Sequence, residues 1–157
     1  MLKEKIQADL KNSMKQKEEL TLSVLRMLSA AIVNKEKEKR FKSGQSQDIA
    51  LTDEEIIEVI ATEIKKRKEA ALAYEQGDRK ELSEKEKKEA EILQQYLPEQ
   101  LSEAEVKKLV KTAIEKVGAK TQKDMGKVMQ ELMPKVKGKA DGSLVSKLVK
   151  DLLSQEL

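Results

Sequence analysis

The sequence predicts an all-α protein, an amino-terminal helical bundle followed by a small carboxyl-terminal three-helix domain. Three observations carry that expectation. Apolar residues recur at three- and four-residue spacing through most of the chain, and no segment shows the two-residue alternation of a strand. Charged residues make up 39% of the 157 positions and aromatics 2%, the balance of exposed amphipathic helices around aliphatic cores. Helix starts and stops are marked by capping boxes, hydrophobic staples and glycines.

Taken in order, Leu2, Ile6, Leu10 and Met14 trace a narrow apolar stripe on a short first helix. Leu20, Val24, Leu25, Leu28, Ala31 and Ile32 mark the buried face of a second. That pattern dissolves into KEKEKRFKSGQSQD, residues 35–48, which reads as a fraying helix end and a mobile loop. Thr52 and Glu55 then form a capping box, with Leu51 and Ile56 at the positions of a hydrophobic staple. Ile57, Ile60, Ile64, Ala71 and Tyr74 continue this third helix until Gly77 and Asp78 stop it. Arg67 interrupts the stripe and is placed to face a carboxylate or line a groove. Its neighbours Lys65, Lys66 and Lys68 spread around the helix as ordinary surface charge, paired with Glu63 and Glu69. A fourth helix spans residues 80–97, with Leu82, Ala90, Leu93, Tyr96 and Leu97 as its apolar positions.

Pro98 sets the domain boundary, because the residue before a proline is pushed out of the helical region. The expected domains are therefore residues 1–97 and 98–157. In the second, Ser102 and Glu105 repeat the capping box and Leu101 and Val106 the staple, and the helix they start ends at Gly118. Met125, Val128, Met129, Leu132 and Met133 form one further apolar face, its methionines read as core filling. Leu144, Val145, Leu148, Val149, Leu152 and Leu153 form the last. Between these two helices Lys135, Lys137 and Lys139 alternate with Val136, Gly138 and Ala140, and Gly142 follows Asp141. The reading is a basic turn on mobile backbone.

Composition closes off much chemistry. The chain has no cysteine and no histidine, which removes disulfides, the usual zinc sites, thiol nucleophiles and the common general base. No catalytic constellation, metal site or cofactor is expected. No apolar run approaches the roughly 20 residues that span a bilayer, and the charged amino terminus lacks a signal-like apolar core, so the expected location is the cytoplasm. Gly138-Lys139-Ala140 does not complete a phosphate-binding P-loop, since Met133 and Ala140 stand where glycine and Ser or Thr are needed.

The net charge of +3 is uneven. Residues 1–97 hold 20 basic and 20 acidic side chains, whereas residues 98–157 hold 12 and 9. An anionic partner is therefore expected at the carboxyl-terminal part, and the candidate residues for contacting its phosphates are Lys127, Lys135, Lys137, Gly138, Lys139, Gly142 and Lys147. Lysines would meet phosphates as point charges, and the glycines would let backbone approach closely.

The run DMGKVMQELMPKVKGKADGSLVSKLV closely resembles the carboxyl-terminal part of the YqeY family. LSVLRMLSAAIVN, EIKKRKEA and EAEILQQYLPEQLSEAE are similar to its amino-terminal helices, so the resemblance covers almost the whole chain. That family looks like a free-standing relative of the tail of GatB, the B subunit of glutamine-dependent tRNA amidotransferase. The resemblance implies a two-part helical fold and a link to tRNA, with the lysine and glycine turn as the matching surface. It does not confer carbon-nitrogen ligase activity, because the kinase-like core of GatB and the serine-rich glutaminase motif of its partner have no counterpart here. The expected function is a non-catalytic accessory protein of translation that binds tRNA or another structured RNA. The alternative is a protein adaptor docking on amidotransferase subunits or another translation component.

Overall fold

The computed structural model describes residues 1–155. They form seven α-helices and no strand: α1 Leu2–Gln16, α2 Glu19–Ser43, α3 Asp53–Gln76, α4 Lys80–Gln94, α5 Glu103–Val117, α6 Met125–Val136 and α7 Gly142–Gln155. A 3-10 turn, Gln122–Asp124, leads into α6. The chain divides into two compact units, Met1–Leu97 and Pro98–Leu157.

In the first unit α1 and α2 pack as one pair and α3 and α4 as another, around Ile6, Leu25, Leu28, Ile56, Ile60 and Leu93. The Thr52 hydroxyl accepts the Glu55 amide, and the Glu55 carboxylate accepts the Thr52 amide in return. Leu51 and Ile56 of the staple are both buried. Arg67 is buried as well, donating to Glu89 at 3.2 Å, to the Glu63 carboxylate at 3.0 Å and to the Glu63 carbonyl. Burial alone would raise the Glu63 pKa, but hydrogen bonds and charge from Lys66 and Arg67 outweigh it and hold the carboxyl below its usual range. The interruption in the α3 stripe is thus a buried ion-pair cluster.

Several expectations need correcting. Met14 is 51% exposed, and Ser13 takes the buried place. At about 100° per residue, a strict four-residue spacing drifts about 40° each step, so Met14 has rotated off the face that Ile6 defines, whereas position 13, seven residues on, returns to it. The Ser13 hydroxyl donates to the Asp9 carbonyl, which removes the cost of burying it. Leu82 and Ser83 repeat the exchange on α4, where Ser83 is buried and donates to Glu75. That helix closes at Gln94, not Leu97.

The stretch from Lys35 does not fray. It extends α2 to Ser43, where Gly44 caps it at a φ of 66°. Ladder contacts replace the missing apolar face: Glu38 accepts from Lys35 and Lys42, Lys3 reaches Glu36, and Lys39 reaches Glu55. At the end of α3 the left-handed residue is Asp78, with a φ of 55°, and not Gly77.

The second unit buries Val106, Val110, Leu132, Val145, Val149 and Leu153 between α5, α6 and α7. Ser102 and Glu105 make the expected reciprocal cap, and Gly118 ends α5 at a φ of 65°. Thr121 and Asp124 form a third capping box before α6. Of the α6 methionines, Met125 and Met129 pack against the core while Met133 is 41% exposed, because Val128, Leu132 and Val136 occupy the centre of the face.

Candidate nucleic-acid interface

The basic turn is shorter and firmer than its composition suggests. Lys135 and Val136 belong to α6, Pro134 sits in that helix's last turn, and Val136 is buried. Only residues 137–141 connect α6 to α7. The Lys137 amide donates to the Met133 carbonyl, and the Lys139 and Ala140 amides both donate to Val136. Gly138 takes a φ of 72°, a left-handed conformation that glycine adopts without strain. Outward from the turn, the Lys139 carbonyl accepts the Leu101 amide at 2.8 Å and the Gly138 carbonyl accepts the Gln100 side chain at 2.8 Å. The expected mobile linker is a hydrogen-bonded turn seated on the segment that follows Pro98.

Gly142 is likewise not a second flexible point, since it opens α7. The Asp141 side chain accepts the Ser143 amide at 2.7 Å, so a carboxylate already stands where the first turn of α7 would favour an anion. A Cβ built at Gly142 meets nothing within 4 Å, so no packing requires glycine there.

The candidate lysines fall in different places. Lys137 and Lys139 lie exposed on the turn beside Gly138. Lys135, on the last turn of α6, donates to Glu131, which also accepts from Lys116. These lysines, Lys116 first, hold the Glu131 carboxyl below its usual range. Lys127 lies about 12 Å back along α6 from Lys135, near the Asp124 carboxylate, at 1.5 Å per residue.

Lys147 is placed elsewhere, in a groove of about 290 Å3 between α5 and α7. Lys107 and Lys111 line the same groove, and Leu144, Leu148 and Leu152 form its apolar side, with Glu103 and Asp151 also present. Lys107 and Lys111 were not singled out from the sequence. In the sequence they stand between Glu103 and Glu115 at the same four-residue spacing and read as ordinary surface charge.

The unit is electropositive by composition, 12 basic against 9 acidic side chains over residues 98–157, and several of its acids face backbone amides rather than lysines. Glu105 accepts the Ser102 amide, Asp124 accepts the Lys120 and Thr121 amides, and Asp141 accepts the Ser143 amide. Backbone donation, from Ser102 and from Lys120 respectively, is the leading cause that holds the Glu105 and Asp124 carboxyls below their usual range. Glu131 serves two lysines. Lys107, Lys111, Lys139 and Lys147 make no ion pair among the described residues. The arrangement offers fixed helix faces bearing ammonium groups, suited to binding an anionic polymer by shape and charge.

The model of the Yqey-like protein family matches residues 3–153. The chain belongs to the YqeY family. One relative of this YqeY protein is the Altered inheritance of mitochondria protein 41, mitochondrial, of Pyrenophora tritici-repentis (strain Pt-1C-BFP). It is 30% identical over 152 residues, which cover 95% of this chain and 79% of the relative. The relationship supports a domain like the tail of GatB. No helix among the described residues of the YqeY protein is long and apolar enough to cross a membrane.

Proposed function

We propose that this YqeY-family protein is a non-catalytic accessory protein that binds structured RNA, tRNA foremost, on its carboxyl-terminal unit. The observation that carries the reading is the set Lys107, Lys111, Lys139 and Lys147, which make no ion pair among the described residues and lie on the unit that holds the chain's whole positive excess. Lys137 and Lys139 on the turn, Lys127 on α6, and Lys147 with Lys107 and Lys111 in the α5/α7 groove supply the phosphate contacts. Lys135 adds to the field although Glu131 shares it. Gly138 shapes the turn, and Gly142 adds no side chain beside it. With neither cysteine nor histidine, the chain lacks a thiol nucleophile and an imidazole base, and we assign it the part of holding RNA for other components of translation. We place it in the cytoplasm; the name of the Pyrenophora relative places that protein in mitochondria.

The test is fluorescence anisotropy of labelled bulk tRNA across a salt series, with the wild type, the Lys137→Glu/Lys139→Glu variant and the Lys107→Glu/Lys111→Glu/Lys147→Glu variant. Binding that weakens with salt, with a slope reduced by roughly one for each phosphate-contacting lysine removed, supports the reading. Absence of binding by the wild type at low salt sinks it. A second reading, a protein adaptor, is favoured by the apolar side of the groove, where Leu144 and Leu152 are only partly buried. Capture of a translation component that survives both charge reversals and is lost in Leu144→Ser/Leu152→Ser would establish it.

A further inference from the structure

Phe41, in the last turn of α2, is 89% exposed. The other aromatics are engaged: Tyr96 donates to Asp9 at 2.7 Å with the Lys5 ammonium 5.5 Å from its ring centre, and Tyr74 is half-buried. Leaving a phenyl ring in water forgoes about 1.5–3 kcal/mol that burial would supply. A lone exposed apolar side chain is ordinary. What sets this one apart is the chemistry around it.

The ring shares an open hollow of about 590 Å3 with Lys37, Arg40, Gly44 and Gln45. Lys37 is one helical turn before Phe41 and makes no ion pair among the described residues. Arg40 holds Asp48 at 2.7 Å, but the Asp48 side chain is 98% exposed, so a phosphate can replace this weak partner. Gly44 reverses the chain at a φ of 66°, and a Cβ built there meets nothing within 4 Å, which leaves the hollow open with Gln45 at its edge.

A flat apolar face for a base, two cations for phosphate and an amide for the base edge are the groups that a nucleotide selects. A docking protein or a membrane would call for a contiguous apolar patch. Along α2 the nearest exposed large apolar side chain is Val33, eight residues back and about 80° round the helix. We propose that Phe41, with Lys37, Arg40 and Gln45, forms a single-nucleotide contact on the amino-terminal unit, stacking an unpaired base of bound RNA. The inference rests on the RNA-binding reading and adds to it a preference for single-stranded positions.

The experiment uses the full chain with two labelled probes, a hairpin RNA with an unpaired loop and a blunt duplex of the same stem. The chain has no tryptophan, so Phe41→Trp introduces a sole indole reporter. The expected result has three parts. Phe41→Leu weakens hairpin binding about tenfold, the loss that one stack of about 1.4 kcal/mol produces, and leaves duplex binding unchanged. Phe41→Trp binds like the wild type. Its fluorescence is quenched by the hairpin and not by the duplex. Far-ultraviolet circular dichroism should match the wild type in both variants, since the ring packs against no core.

The proposal is overturned if the wild type binds hairpin and duplex equally, if Phe41→Leu keeps hairpin affinity, or if the indole is not quenched. A loss in Phe41→Ala together with retention in Phe41→Leu also overturns it, and assigns the ring to aliphatic docking of a protein. Failure of the wild type to bind either probe removes the RNA reading itself. Equal binding of both probes that the carboxyl-terminal lysine reversals abolish upholds that reading while refuting this one.

Discussion

The two units spend their carboxylates differently. In the amino-terminal unit acids meet cations across helices, as Glu36 with Lys3, Glu55 with Lys39, Glu75 with Lys87 and Glu89 with Arg67. In the carboxyl-terminal unit Glu105, Asp124 and Asp141 meet backbone amides at helix starts. One use cancels charge and ties helices to each other. The other starts helices, in a unit that also holds the chain's whole positive excess, so lysines there stand without an acidic partner.

The largest expected effect breaks the first pattern at its buried point. Arg67→Met keeps most of the packing stem but leaves Glu63 and Glu89 without their shared cation, and should cost about 3 kcal/mol in urea denaturation of the full chain. Next, in the second unit, Lys107→Glu/Lys111→Glu/Lys147→Glu should lower tRNA affinity by about tenfold or more, with the denaturation midpoint changed little. A loss of stability comparable to that of Arg67→Met would mean these lysines hold the fold, and the comparison would fail. Ser102→Ala removes a cap and should cost about 1 kcal/mol, as should Thr52→Ala in the first unit. Lys42→Ala removes an exposed pair with Glu38 and should leave the urea midpoint essentially unchanged.

Acid titration sharpens the same contrast. Hydrogen bonds from Lys42 and then Lys35 depress the Glu38 carboxyl from 4.5 to about 2, whereas backbone and side-chain bonds from Ser102 are the main depressors of Glu105. A carboxyl depressed on folding supplies stability that is present above its ordinary pKa and is lost as pH falls through the folded value. For Glu38 that window runs from 4.5 down to about 2. Carboxyl titration by NMR at about 0.1 M and about 1 M salt should return Glu38 toward its ordinary value in high salt and move Glu105 less, because screening weakens an exposed ion pair more than a short amide bond.

The helix starts were legible because a capping box is a local pattern, and Thr52/Glu55 and Ser102/Glu105 stand where the sequence puts them. The length of α2 was not. Its last turns are held by charges that include Lys3 and Glu55, residues remote in sequence from it, which no apolar periodicity records. Ser13 and Ser83 displaced Met14 and Leu82 because angle, not hydrophobicity, decides what faces inward. At the candidate site, the lysines of the turn were visible as a cluster on glycine-containing sequence. Lys107 and Lys111 were not, since their meeting with Lys147 depends on how α5 packs beside α7.

The bond from the Leu101 amide to the Lys139 carbonyl, with Gln100 on Gly138 beside it, closes a span of 38 residues. Leu101 lies outside every helix, where an amide would ordinarily trade its proton with solvent readily. Here that proton is released only when the stretch that begins the unit parts from the turn between its last two helices. Deuterium uptake at this one backbone position should therefore track the opening of the whole carboxyl-terminal unit.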